Sequence, residues 1–271
     1  MGIHGNHRPG EFCGLLRYWR NHRSLSQLDL ALRADVSQRH VSWLETGRSQ
    51  PSREMVLRLT EALDVPLRER NSLLTSAGFA SVFTENTLDE PTMKPILQVL
   101  SRMLETHDPY PAIVLDRLWN IKMQNKAADR LFSVTGDPEA LWQAVGDKGE
   151  RNIALLSIHP QGLRQFISNW STAGQMFMRR LKREAFESGD QEVIDKFVQL
   201  ERFAGEELVE ESADAPLLPI LPLEFKLGEL ELSLFTVIST FGTAQDITTD
   251  ELRIETFYPT DDQTAAFFQH Q

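Results

Sequence analysis

Apolar positions in the first eighty residues recur at helical spacing, but only in short blocks. Phe12, Leu15, Leu16 and Trp19 share one face of a 3.6-residue repeat and predict a helix over 11–23. Ser26 is a good N-cap for a second helix with Leu30 and Ala31 inside, stopping near Ala34 and Asp35, where aspartate tolerates a left-handed turn. Ser37 caps a third helix, Gln38 to Thr46, with Val41 and Leu44 inward and Gly47 just past its end. Pro51 and Ser52 start a fourth, with Val56, Leu59 and Leu63 on its inner side. After Asp64-Val65-Pro66 a fifth runs to Gly78 and carries Leu67, Leu73 and Leu74. Five short helices around one small core predict an all-α domain over 1–80.

The pattern then changes. Residues 81–95 are polar and include Pro91 and Pro95, which reads as a linker with the domain boundary near 85. Ile96, Leu97, Leu100, Met103 and Leu104 predict a helix from Pro95 to Glu105, which could also pair two subunits. Ala112 to Asp116 is an apolar β-rich run, and Trp119 to Gln124 alternates apolar and polar, so the two predict a hairpin through Arg117-Leu118. Asn125 is placed to cap a following helix with Ala128, Leu131 and Phe132 inward. Leu163, Phe166, Trp170, Ala173, Phe177 and Leu181 keep spacings of three and four, predicting one long amphipathic helix from Leu163 to Ser188, with another from Val193 to Phe203. Glu206 to Pro222 is acidic, then proline-rich, and reads as an exposed connection. Leu223–Leu227, Leu230–Phe241 and Leu252–Tyr258 complete an antiparallel sheet of about five strands in an α/β domain over 96–271. The strand from Leu230 alternates at first, then turns apolar on both faces, which predicts a sheet end covered on both sides.

Charge sharpens this division. Through residue 80 there are 11 Arg, no Lys and 8 carboxylates, whereas the remainder holds 17 cationic and 31 anionic side chains. A small Arg-only basic segment on an acidic remainder suits a chain of which only the N-terminus meets a polyanion. Apolar residues make up 41% and charged residues 25%, ordinary for a globular chain, and no apolar run approaches the roughly 18–20 residues needed to span a bilayer. The first ten residues lack an apolar core and a small-residue cleavage site, so a cytoplasmic protein without membrane insertion is expected. Cys13 is the single cysteine, so no internal disulfide can form, and no metal site is expected. There is no Gly-x-Ser-x-Gly elbow, no His-Glu-x-x-His and no Gly-rich phosphate loop, which argues against an enzyme.

Helix two, a three-residue turn and helix three make the order used by helix-turn-helix DNA readers. Ser26-Gln27, Leu30-Ala31, Val36-Ser37, Val41-Ser42, Leu44-Glu45, Gly47 and Pro51-Ser52 resemble in spacing the Xre-type helix-turn-helix regulators over 11–78. Asp35 stands where that family often has glycine. The resemblance implies that Gln27 touches phosphate, that Gln38, Arg39 and Trp43 face base edges, and that Arg20 pairs with Glu45. Ser37, His40 and Ser42 belong to the same candidate surface. Glutamine can bond bidentately to adenine and arginine to guanine, whereas Arg48 and Arg53 suit phosphate contacts or a solvated surface. Trp43 fits equally well packed against helix four.

The C-terminal part resembles a second family. Pro109-Tyr110-Pro111-Ala112, Asp116-Arg117, Trp119-Asn120, Asn125, Leu156-Ser157-Ile158-His159-Pro160, Gly162-Leu163, Asn169-Trp170, Phe241-Gly242-Thr243 and Phe257-Tyr258-Pro259 are similar to the MmyB-like ligand-binding domain found behind Xre-type helices. This resemblance implies a PAS-like sensor taking a small apolar ligand, with a fatty acid or similar acyl compound foremost and no obligatory cofactor. Trp119, Phe166, Trp170, Phe177, Phe235 and Phe241 are candidate walls. Asn125, His159, Asn169, Arg179 and Arg180 are candidate anchors for a polar head. Each aromatic residue also suits an ordinary core, and His159 suits a capping role. The expected partners are double-stranded DNA, an acyl ligand and a second copy of the chain. The competing reading makes the C-terminal domain a dimerisation or protein-docking scaffold without ligand.

Overall fold

The computed structural model describes residues 12–146, 149–205, 220 and 222–269. Two compact units emerge: Met1–Glu85 with Ala244–Asp250, and Asn86–Thr243 with Glu251–Gln271. Among the described residues no helix is long and apolar enough to cross a membrane.

The N-terminal unit contains the five expected helices, α1 (Phe12–His22), α2 (Gln27–Arg33), α3 (Gln38–Glu45), α4 (Arg53–Ala62) and α5 (Leu67–Ser76). Ser26, Ser37 and Ser52 each accept a backbone N–H at the third position of the helix they precede. Ser26 and Asp29 form a full capping box, and these bonds hold the exposed Asp29 carboxyl below its ordinary range. Asp35 sits in the left-handed region at φ 52°, as its place in the turn requires. Leu16, Trp19, Leu30, Val41, Leu44, Val56, Leu59, Leu73 and Leu74 are buried together as the core.

Two features of this unit depart from the sequence pattern. Phe79 and Val82 pack on its core, and Asn71 hydrogen-bonds the backbone of Val82 and Phe83, so the presumed linker begins later than 81. The unit also includes Ala244–Asp250, most of it in α12 (Ile247–Glu251). Ile247 N–H donates to Thr84 O at 2.8 Å, and the Thr84 hydroxyl donates to Asp246 at 3.0 Å. Helix α5 has only Pro66 at its N-cap, and the Asp250 carboxyl hydrogen-bonds the backbone of Leu67 there. Burial raises the Asp250 carboxyl above its usual range.

In the C-terminal unit, β1 (Ala112–Leu115), β2 (Ile121–Gln124), β3 (Leu223–Leu227), β4 (Leu230–Thr240) and β5 (Arg253–Pro259) form an antiparallel sheet in the order β2-β1-β5-β4-β3. Side chains alternate across a strand, so Ala112, Val114 and Ile254 face one way, toward Leu100 and Leu104 of α6 (Lys94–His107). Ile113, Leu115 and Phe257 face the other way, into the larger core. That second face is covered by α7 (Lys126–Ser133), α8 (Pro138–Ala144), α9 (Ile153–Ile158), α10 (Trp170–Ser188), α11 (Gln191–Ala204) and α13 (Asp262–Gln269). The sheet is thus covered on both faces at β1 and β5, but not along the strand from Leu230 where it was expected: Val237 is exposed, and only Phe241 just past its end packs under α6.

Three expectations need correction. The long helix from Leu163 is interrupted: a 3₁₀ turn (Leu163–Phe166) is followed by Ile167–Asn169, which bridge to β3, before α10 begins. Ser168 N–H donates to Glu224 O at 2.8 Å and Asn169 Nδ2 to Pro222 O at 2.8 Å, and these edge bonds replace helical ones. Trp119 lies outside the second strand at φ 70°, in a turn where Asp116 Oδ1 accepts the N–H groups of Leu118 and Asn120. Helices α8, α9, α12 and α13 were not expected; α9 and α12 are too short for periodicity to register, whereas α8 and α13 are as long as α2 and α3. The connection predicted over Glu206–Pro222 lies, apart from 220 and 222, outside the described residues.

Gly162 joins α9 to the 3₁₀ turn where a Cβ would lie 2.0 Å from the Leu156 carbonyl oxygen. Gly162→Ala is expected to lower the stability of the C-terminal unit by about 1–3 kcal/mol through backbone displacement, read as a lower melting temperature.

Candidate functional site

Helix α3 is held by one buried carboxylate. Glu45 at its C-terminal end is 3% exposed. Arg20 of α1 grips it with both sides of the guanidinium, Nε to Oε1 at 2.5 Å and Nη2 to Oε2 at 3.1 Å. Gln27 Nε2 adds a bond to Oε2 at 2.8 Å, and Arg17 donates to the Glu45 carbonyl at 2.9 Å. Helices α1, α2 and α3 are thus tied at a single point, and the opposite end of α3 is left projecting.

What projects is the predicted reading surface. Gln38 and Arg39 in the first turn are exposed, and the Arg39 guanidinium lies over the Trp43 ring at 4.4 Å. Trp43 is 36% exposed and absent from the core, so it serves the outer surface as a shelf on which Arg39 rests. Ser37 is occupied as the cap, receiving His40 N–H at 3.1 Å, while His40 and Ser42 are half-buried beside it. Arg48 and Arg53, on either side of Pro51, are exposed. Gln27, at the α2 N-terminus, is half-buried, and its amide nitrogen donates one hydrogen bond to Glu45, so its side chain is part of the framework that holds α3.

The C-terminal unit holds a cavity of about 580 Å³ between α10 and the sheet. Trp170, Ala173, Phe177 and Arg180, spaced by three or four, line it from α10 together with Met176, Arg179 and Arg183, over roughly 20 Å of helix at ~1.5 Å per residue. Leu131, Phe132, Ile153, Leu163 and Ile167 close one side; Leu223, Phe225, Thr236, Glu255 and Phe257 form the sheet wall. Trp119 stands edge-on to Phe177, with ring centroids 5.3 Å apart. Volume and lining fall in the range of small-molecule sites.

One end of the cavity is charged. Arg180 lies over Trp119 at 4.7 Å, donates from Nε to Glu184 at 2.9 Å, and stands 3.8 Å from Glu255. Arg253 also pairs with Glu184. Arg179 and Arg183 are exposed at the rim with Met176. Burial pushes the Glu255 carboxyl above the ordinary carboxylate range, against the opposing pull of Arg180 and a hydrogen bond from Thr236.

Residues 97–270 match the family model of the MmyB-like transcription regulator ligand binding domain. The chain belongs to that family. Residues 11–73 match a helix-turn-helix domain, so this MmyB-like regulator joins a DNA-binding module to a ligand-binding one. No curated protein matches the chain.

Within this regulator the predicted ligand residues separate into two groups. Trp119, Trp170, Phe177, Arg179 and Arg180 line the cavity. Phe166 packs against the core without lining it. Asn125 caps α7, accepting Ala128 N–H and donating to the Tyr110 carbonyl, and Asn169 fastens β3. His159 packs on Phe203 at 4.7 Å, where burial lowers its pKa. Phe235 stacks on Tyr258 and Phe241 packs with Leu100 and Leu104, both on the sheet face away from the cavity. The strand period explains these two: a residue one step from Leu234 or Thr236 points to the other side.

Arg183, Thr236 and Glu255 were missed. Arg253, Glu255 and Phe257 share one strand face, and two charges in three positions read from sequence as solvent-facing.

Proposed function

We propose that this ligand-responsive transcription regulator binds an acyl-chain amphiphile in the cavity along α10 and that occupancy changes how α3 engages DNA. The cavity carries the reading: it is long, apolar for most of its length and cationic at one rim. Each methylene withdrawn from water contributes about 0.8 kcal/mol, so chain length is felt as affinity, and Arg180, with Arg179 and Arg183 at the rim beside it, suits an anionic head. A scaffold with a fully packed core has no use for an apolar cleft of about 580 Å³, and the cavity therefore favours the sensor reading.

Chain connectivity supplies a route for the signal. Strands β4 and β5 carry Thr236, Glu255 and Phe257 of the cavity wall, and the segment joining them, Ala244–Asp250, belongs to the N-terminal unit. A ligand shifts DNA affinity only if it binds the two states of the protein unequally. In this proposal the regulator works as a two-fold dimer that sets two copies of α3 in successive major grooves, about 34 Å apart.

Mass spectrometry of lipid extracted from purified protein, with melting curves in added long-chain fatty acid, tests the reading. Bound acyl compound, or stabilisation of roughly 2.7 kcal/mol at a hundredfold excess over Kd, is expected. Absence of extractable lipid together with no melting shift at saturation returns the domain to the scaffold reading.

A further inference from the structure

Among the described residues Glu255 is the one carboxylate lining the cavity. It projects from the centre of the sheet, opposite Ile113 of β1 and Ile238 of β4, and is 7% exposed. The charged groups around it are Arg180 and Glu184 from α10 and Arg253 from its own strand, and the neutral Thr236 hydroxyl of β4 hydrogen-bonds it. Arg180 and Arg253 already face Glu184 and Glu255, two cations against two anions, so the inner polar end is balanced before any ligand arrives.

We propose that Glu255 sets the head-group specificity of the cavity, making entry of an anionic head proton-coupled while a neutral head enters without a proton. An aliphatic carboxylate reaching Arg180 replaces Glu255 as its partner. Glu184, Glu255 and the ligand carboxylate then face only the two guanidinia of Arg180 and Arg253, an excess of one negative charge relieved when the buried Glu255 takes one proton from solvent. No bond other than that O–H forms. An alcohol head adds no charge and leaves the Arg180, Glu184, Arg253 and Glu255 set undisturbed. The raised carboxyl of Glu255 fits this, because burial has already moved it toward accepting the proton.

The inference rests on the cavity holding an alkyl chain, and the two can fail separately. Decanoate and decanol are titrated into the full-length protein, with Trp119 and Trp170 in the cavity wall as fluorescent reporters. The range is about pH 6.5 to 8.5, in which decanoate in water stays ionised. Decanoate affinity is expected to fall by about tenfold or more across that range, the limit being tenfold per unit for one linked proton, while decanol affinity stays level. In Glu255→Gln the decanoate slope is expected to vanish and binding at the upper pH to tighten about tenfold. Equal pH slopes for decanoate and decanol in the unmodified protein overturn the proposal without recourse to the variant. An unchanged decanoate slope in a folded Glu255→Gln protein also overturns it. Failure of both chains to bind overturns the cavity reading as well.

Discussion

Replacing Gln38 and Arg39 together by alanine is expected to abolish sequence-selective DNA binding while leaving the fold and the acyl-induced melting shift in place. Both side chains stand in the exposed first turn of α3, outside the core that stabilises the unit. Their removal opens no cavity and strands no buried group. A bidentate amide to adenine and a bidentate guanidinium to guanine each contribute roughly 1–3 kcal/mol of discrimination, so the pair accounts for about two or more orders of magnitude. Phosphate contacts by Arg48 and Arg53 carry no sequence information and survive. The double variant should therefore bind its operator and a scrambled duplex alike, with near-unchanged salt dependence. Fluorescence anisotropy with both duplexes at one salt concentration reads the ratio. A preserved ratio would mean that α3 does not read bases through these residues.

The contrast between the two halves shows what the pattern of residues carried. In the N-terminal unit the signals were local: Ser26, Ser37 and Ser52 announce helix starts, and Gly47 and Asp35 announce turns. Each is decided within one helical turn, so sequence reasoning placed α1 to α5 closely. The outward pose of Arg39 over Trp43 was less legible, because tryptophan suits a core as well as a surface, and only the filled core behind α3 excludes the first.

In the C-terminal unit the decisive information is long-range. The stripe at Trp170, Ala173 and Phe177 was visible as an inward helix face, but periodicity does not distinguish a face that packs from one that lines a cavity. That difference depends on what Thr236 and Glu255 place opposite, some sixty and more residues along the chain. The break at Ile167–Asn169 has the same origin, since its cause is the edge of β3 at Pro222 and Glu224. Asn125 and Asn169 invited a ligand role because a buried amide needs partners, and the backbone supplies them. Ala244–Asp250 joins the N-terminal unit through Thr84 and Leu67, pairings with no signature in composition or spacing.

Arg20→Ala is expected to cost the N-terminal unit about 3–5 kcal/mol, a large part of the roughly 5–15 kcal/mol that holds a domain folded. The Glu45 side chain is wholly buried and Arg20 is its principal countercharge, so truncation leaves an anion in the interior with only the Gln27 amide and the more distant Arg17 for compensation. Loss of Arg20 also leaves the Leu25 carbonyl without the guanidinium N–H it accepts at 2.7 Å. The penalty is that of a stranded charge, and this distinguishes it from simple loss of packing. Substituting both members, Arg20→Met with Glu45→Met, removes the buried charge with its partner and should recover much of the stability. DNA binding should not return with it: methionine at 45 no longer ties α3 to α1 and α2 in a fixed orientation, so the exposed Gln38 and Arg39 lose their common frame. Melting curves and operator affinity measured on the single and double variants separate the two roles. Equal stability of the Arg20→Ala protein and the parent would show that the ion pair does not support the fold, and unchanged operator affinity that it does not position the reading helix.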